Sequence, residues 1–171
     1  MRARCGHVGL AALWLGLCFG LAGPARADDA PQRRNWFDDP FFQIAAALPA
    51  CPVPRGPFIT EAERRVQAHH RAEKGTSCWL AGRCERANFY SYDQDIAAAL
   101  RAALPQQADL LSGSSLWVTV QGRVVYLEGC VPEAARAAAL EAWARSLPQV
   151  QSAIALVLAD LRLAPPYATA P

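Results

Sequence analysis

The chain lacks a membrane-length apolar run, a strong charge of either sign and the common catalytic signatures. Its N-terminal apolar stretch, Val8 to Leu21 (VGLAALWLGLCFGL), is 14 residues long, whereas a spanning helix needs about 20. Seventeen basic and 15 acidic residues leave a formal charge of +2, which argues against a nucleic-acid partner. No glycine loop that could cradle a phosphate occurs. Ser112, Ser114 and Ser115 lack the G-x-S-x-G context of an activated serine. Asp93 and Asp95 sit where helix capping explains them, and Asp38 and Asp39 are expected to cap a short helix as well. These absences point to a protein that is not an enzyme, and no cofactor or metal is expected.

Compartment follows from the first 27 residues, which read as a cleavable secretory signal. Arg2 and Arg4 precede the apolar run, and Ala25-Arg26-Ala27 places small residues at the cleavage site. A lipoprotein reading at Cys18 is weaker, because bulky Leu17 precedes the cysteine. Loss of Arg2, Arg4 and Arg26 shifts the formal charge from +2 to about −1. Residues 31–92 carry nine bases and six acids, too dispersed a surplus to argue by itself for an anionic membrane surface. The expected location is the periplasm, an oxidising space.

Four cysteines follow the signal: Cys51, Cys78, Cys84 and Cys130. In an exported chain they read as two disulfides, for which three pairings exist. Cys78 and Cys84 bracket CWLAGRC, with five residues between them instead of the two of a C-x-x-C redox site. A zinc site usually needs paired short spacings, and only one short pair exists. We favour Cys78–Cys84 with Cys51–Cys130; the alternative links Cys51 to Cys78 or Cys84. Trp79 and Leu80 are expected to anchor the loop in the core.

Residues 28–59 hold Pro31, Pro40, Pro49, Pro52, Pro54 and Pro57, and proline restricts both itself and its predecessor. An irregular segment is expected, with one short helix near Pro40 to Leu48. Its Phe37, Phe41, Phe42 and Ile44 should dock on the main domain. Thr60 and Glu63 form a capping-box pattern, so a helix should run to about Lys74 with Gly75 at its C′ position. This helix is polar, with a thin seam of Ala62, Val66, His69 and Ala72, and should be weakly buried or contact a partner. His69 and His70 are about 100° apart on a helix and cannot face one metal; they read as solvated.

From Tyr92 the pattern is regular. Asp93 can cap a helix to about Leu104, stopped by Pro105. Leu116 to Val120 alternates as a half-buried strand, Gln121-Gly122-Arg123 turns, and Val124 to Glu128 returns. Val125 and Leu127 share one face, Tyr126 and Glu128 the other, and Gly129 should end the strand. Pro132 suits the first turn of a helix to about Ser146, with Ala135, Ala139, Leu140, Trp143 and Leu147 as its core stripe. Val150 to Leu158 is a further strand. The tail, residues 164–171, should be loose. The expected class is an α+β sandwich of order α-β-β-α-β over residues 92–163, a small mixed sheet packed on two helices. An irregular and helical N-terminal extension, residues 28–91, precedes it.

The segment RVVYLEGCV (Arg123 to Val131) is similar to the pattern glycine, valine, any, leucine, any, glycine, any, valine. AWARSLPQVQSAI downstream is similar to a helix end followed by a valine-bounded strand. Together with the element order, Tyr92 to Leu163 resembles the BON domain of bacterial envelope proteins. Arg123 stands where that family usually has glycine, and the turn glycine here is Gly122. The resemblance leaves residues 28–91 uncovered, although CWLAGRC and the following ERANFYSYD look like an extension found ahead of some exported single-BON proteins. It implies a non-catalytic protein that binds phospholipid or an envelope partner and supports envelope integrity; the alternative is a protein-interaction adaptor. It implies nothing about oligomeric state. Trp117, Tyr126, Phe89, Tyr90 and Tyr92 are the candidate contacts, since Trp and Tyr suit a boundary between water and apolar matter. Packing beneath the extension is the competing explanation for each.

Overall fold

The computed structural model describes residues 31–171; the expected signal lies outside the described residues. Along the chain the elements are β1 (Phe41–Ala46), α1 (Glu61–Glu73), α2 (Thr76–Leu80), α3 (Asp93–Ala103), α4 (Ala108–Leu111), β2 (Ser115–Gln121), β3 (Val124–Cys130), α5 (Arg136–Arg145) and β4 (Ser152–Leu158). One four-stranded sheet has the order β1-β2-β3-β4, with β3 and β4 parallel and the other pairs antiparallel.

Alternation decides which face is buried. Leu116, Val118 and Val120 of β2 and Val125 and Leu127 of β3 point to one face and are fully enclosed. Ile96, Ala97 and Leu100 of α3 and Leu140, Trp143 and Ala144 of α5 close over them. Each such large aliphatic side chain contributes roughly 1.5–3 kcal/mol through burial. The α-β-β-α-β unit with a mixed sheet on two helices is therefore the observed centre of the fold. On α5 the buried stripe is Leu140, Trp143 and Ala144, while Ala135 and Ala139 face solvent. The helix starts at Arg136, later than expected.

The sequence reading of Pro40 to Leu48 as a helix is corrected. Phe41 to Ala46 is a strand, antiparallel to β2, with a bulge between Gln43 and Ala45. Three consecutive alanines favour helix locally, but β2 would otherwise expose an edge of unpaired amides and carbonyls. Phe42, Ile44 and Ala45 join the core from this strand. Its far end is fixed by Ser115, whose Oγ accepts from the Leu48 amide at 2.7 Å and donates to the Leu48 carbonyl at 3.0 Å.

Helix α1 has the expected capping box: the Thr60 hydroxyl accepts from the Glu63 amide and the Glu63 carboxylate accepts from the Thr60 amide. The inward face differs from the expected seam. Ala62, Val66, His69 and Ala72 are exposed, and Arg64, Gln67, Ala68 and Arg71 turn inward. That spacing is an ordinary helix face, but arginines fill it. The Arg64 guanidinium lies 5.5 Å from the Trp36 ring, and Arg71 lies 4.0 Å from Phe37 and 3.7 Å from Tyr90. Planar guanidinium on aromatic surface replaces aliphatic packing.

The acids expected to cap helices do other work. Asp38 and Asp39 belong to a turn closed by Asn35, whose side chain donates to the Asp39 carbonyl and accepts from its amide. Asp39 is buried and pairs with Arg71. Asp95 pairs with Arg86. Asp93 begins α3, but its carboxylate accepts from the amides of Gly122 at 2.6 Å and Arg123 at 2.8 Å. It clamps the two-residue hairpin turn, in which Gly122 has φ 60° and Arg123 φ 67°. Both angles belong to the turn type that matches strand twist. The non-glycine Arg123 is held there by the clamp and by its guanidinium, which donates to the Gln149 carbonyl. Burial pushes the Asp93 carboxyl above the usual range, opposed by those two amides. Asp93→Ala leaves both amides unpartnered and is expected to cost about 1–3 kcal/mol, measured as a shift in the urea midpoint at constant slope.

Gly129 lies inside β3 and does not end it. Its φ is 141°, and a Cβ there would stand 2.1 Å from the Ser115 carbonyl oxygen, so the position excludes a side chain. The tail is docked where looseness was expected. Tyr167 is buried and donates to the Pro52 carbonyl at 2.8 Å, and Ala170 donates to Val53 at 2.9 Å.

Candidate binding surface

The strand period that buries Val125 and Leu127 sends Trp117, Thr119 and Gln121 of β2 and Tyr126 and Glu128 of β3 to the outer face. This face is covered in part by the proline-rich segment. The Cys51–Cys130 disulfide, with S–S 2.06 Å, ties that segment to the end of β3. Leu48, Trp117 and Leu158 pack around it. Trp117 is thereby half-buried by packing.

The five aromatic candidates do not form one surface. Tyr92 is buried, and its hydroxyl accepts from the Arg86 amide at 2.7 Å. Tyr90 is half-buried beneath Arg71 and Lys74. Phe89 is half-buried, with Arg123 at 5.2 Å from its ring. These three sit at the hairpin turn and join it to α1, a packing role. Tyr126 is half-buried on the outer face, opposite Thr119 in the strand register and near enough to Tyr90 for the two hydroxyls to influence each other's ionisation.

Tyr126 instead lines an open cleft of about 280 Å³, with Gly56, Thr119, Gln121, Glu128 and Leu156. Thr119 is 4% exposed, and its hydroxyl has no hydrogen-bond partner. Burial pushes the Glu128 carboxyl above the usual carboxylate range, opposed by the charge of Arg55. The adjacent Thr119 hydroxyl also favours the ionised form, without reaching hydrogen-bond geometry. Among the described residues no basic side chain forms an ion pair with Glu128. Strand alternation places Thr119, Gln121, Tyr126 and Glu128 on one face and could have marked them together. Gly56 arrives only through the covering segment, which no sequence pattern signals.

A second exposed feature is CWLAGRC. Cys78 and Cys84 are joined, with S–S 2.02 Å. Trp79 and Leu80 do not anchor in the core; they are 47% and 73% exposed. Gly75, at φ 106°, turns the chain off α1 into the five-residue α2. The six-residue separation of the cysteines then closes the segment on itself. The result is a cross-linked projection with an apolar tip and exposed Arg83 beside it. Its base touches the hairpin, where Arg123 Nη1 donates to Cys84 Sγ at 3.5 Å.

Among the described residues no cluster of His, Cys, Asp and Glu could hold a metal, and no helix is long and apolar enough to cross a membrane. No curated protein and no solved structure matches the chain. Residues 92–156 match the family model described as BON domain. That match runs from the end of the aromatic cluster through most of β4. The family is generally non-catalytic and associated in general with phospholipids and the cell envelope. With the mixed sheet on two helices and the matched segment coinciding, this chain carries a BON domain at residues 92–156, preceded by an extension that the domain's outer face helps to hold.

Proposed function

We propose that the protein is a non-catalytic periplasmic factor that contacts a phospholipid surface through the cross-linked projection and thereby supports the envelope. The observation that carries this reading is the exposure of Trp79 and Leu80 on a segment closed by Cys78–Cys84. A Trp and a Leu next to an arginine suit the headgroup boundary, where the rings and alkyl groups leave water and the charge stays in it. The disulfide holds the tip in shape, so little chain entropy is lost on contact. Co-sedimentation of the purified chain with vesicles of mixed anionic and zwitterionic phospholipid tests it. The double variant Trp79→Ala/Leu80→Ala is expected to bind at least about tenfold more weakly, since burying one such side chain contributes roughly 1.5–3 kcal/mol. Absence of vesicle binding by the unaltered chain overturns the reading.

A second reading, an adaptor for an envelope protein, draws support from α1. Val66 is 80% exposed there, on a face that also carries Ala62, His69 and Ala72. Recovery of one envelope protein in stoichiometric amount, lost with Val66→Asp and retained by the tip variant, would favour it.

A further inference from the structure

We infer that the outer-face cleft between β3 and the proline-rich segment binds a primary ammonium group, with Glu128 as its counter-ion and Thr119, Tyr126 and Gln121 as hydrogen-bond acceptors. This goes beyond the contact assigned to the projection and does not depend on it.

Four groups converge there, and each has an acceptor oxygen to offer. The Thr119 hydroxyl is enclosed without a partner. The Glu128 carboxylate accepts only, and the Arg55 charge faces it without forming an ion pair. The Gln121 amide nitrogen donates one of its two N–H groups to Asp39 at 2.6 Å, and its oxygen can accept. The Tyr126 ring lines the same space and can face a cation. With the carboxylate present, acceptor positions outnumber the hydroxyl and amide protons of these four groups, so a ligand that brings several donors fits. An alkylammonium supplies three N–H donors and the positive charge together. Leu156 and Gly56 leave an apolar wall for the adjoining methylenes. The volume of about 280 Å³ falls just below the roughly 300–1,000 Å³ of sites for drug-sized molecules, so the ligand is small. A quaternary ammonium carries the charge without donors and should fit the chemistry poorly.

Glu128 also gives the test a signature that packing alone would not. The groups that face it are Arg55 and Tyr167 from the covering segments and Tyr126 from its own strand. Its carboxyl is raised in the folded chain, so the folded state holds this proton more tightly than the unfolded state does. The associated stability is present at low pH and is lost as pH rises through the folded-state titration. At neutral pH the ionised carboxylate therefore opposes folding, and Glu128→Gln is expected to raise Tm there. An ammonium ligand has the opposite preference, and its binding should strengthen as pH rises through the same titration.

The experiment is an NMR titration of the purified chain with ethanolamine, with choline at matched ionic strength as the comparison. Saturable shifts are expected at Thr119, Gln121, Tyr126, Glu128 and Leu156. Choline should bind at least about tenfold more weakly, the scale of one lost charge-assisted hydrogen bond. Glu128→Gln should weaken ethanolamine to a similar degree while raising Tm, which separates lost binding from lost folding. Non-saturable shifts, or equal affinity for ethanolamine and choline, overturn the inference. So does Glu128→Gln that binds ethanolamine as the unaltered chain does. The source of the ammonium is read in nanodiscs, in the Trp79→Ala/Leu80→Ala background so that the projection does not contribute. A Glu128-dependent preference for phosphatidylethanolamine over phosphatidylcholine assigns a lipid headgroup; free ethanolamine binding without that preference assigns a soluble amine, and either supports the site.

Discussion

Arg71→Ala is expected to lower the unfolding free energy by about 3–5 kcal/mol, the range for removing one member of a buried ion pair. Arg71 and Asp39 side chains are 9% and 4% exposed. Arg71 Nη1 donates to Asp39 Oδ2 at 3.1 Å, and Nη2 donates to Oδ1. The guanidinium is also layered between the rings of Phe37 and Tyr90. Removing it leaves Asp39 enclosed with the Gln121 amide as its remaining side-chain donor at 2.6 Å. The cost comes mainly from that stranded charge. Two further variants separate charge from shape. Arg71→Lys keeps the charge but loses the planar fork and the stacking, so it should fall between the unaltered chain and Arg71→Ala. Arg71→Met with Asp39→Ala removes both charges, and should recover much of the loss. Urea midpoints at constant slope read all three. A drop below about 1 kcal/mol for Arg71→Ala, the scale of an exposed pair, would sink the argument that this junction is dry.

Cys51→Ala with Cys130→Ala is expected to cost about 4.5 kcal/mol, and Cys78→Ala with Cys84→Ala about 2.3 kcal/mol, in the chain-entropy description. The difference follows from sequence separations of 79 and 6, since a longer closed loop removes more freedom from the unfolded chain. Burial enlarges the contrast. Cys51 and Cys130 are enclosed with Leu158 and beneath Leu48 and Trp117, whereas Cys78 and Cys84 are half-buried on a projection. A graded reductant should therefore open Cys78–Cys84 first, because exchange requires a thiolate to reach the sulfur. Thermal unfolding of each double variant and peptide mapping during reduction give the two readouts. Equal losses for both variants would show that loop length and enclosure do not govern the pair.

Residues 92–158 were legible because their physics is local and repetitive. Alternation in Leu116 to Glu128, the Gly122 turn and the apolar faces of α3 and α5 each point to one conformation and one buried side. The capping box at Thr60 and Glu63 was legible for the same reason, since all its atoms lie within four residues. The extension behaved differently. PFFQIAAAL has a helical local preference, and it became β1 because the edge of β2 lies beside it. EAERRVQAHHRAEK offered a thin apolar seam, yet it docks through arginines on Trp36, Phe37 and Tyr90, rings that the chain brings from other elements.

By itself the sequence determined the α-β-β-α-β core, the hairpin, the start of α1 and the cysteines available for cross-linking. Only the tertiary structure decided what each polar group faces. Asp39 and Asp93 look like helix caps until Arg71 and the hairpin amides arrive from 32 and about 30 positions away. Trp79 and Leu80 look like core residues until the short disulfide turns them outward. Glu128 looks like one polar step in a strand until the proline-rich segment and the docked tail partly cover it. The reason is common to the three carboxylates. A periodic pattern reports which side of an element is apolar, whereas the environment of a charge is set by residues that are distant in sequence and adjacent in space.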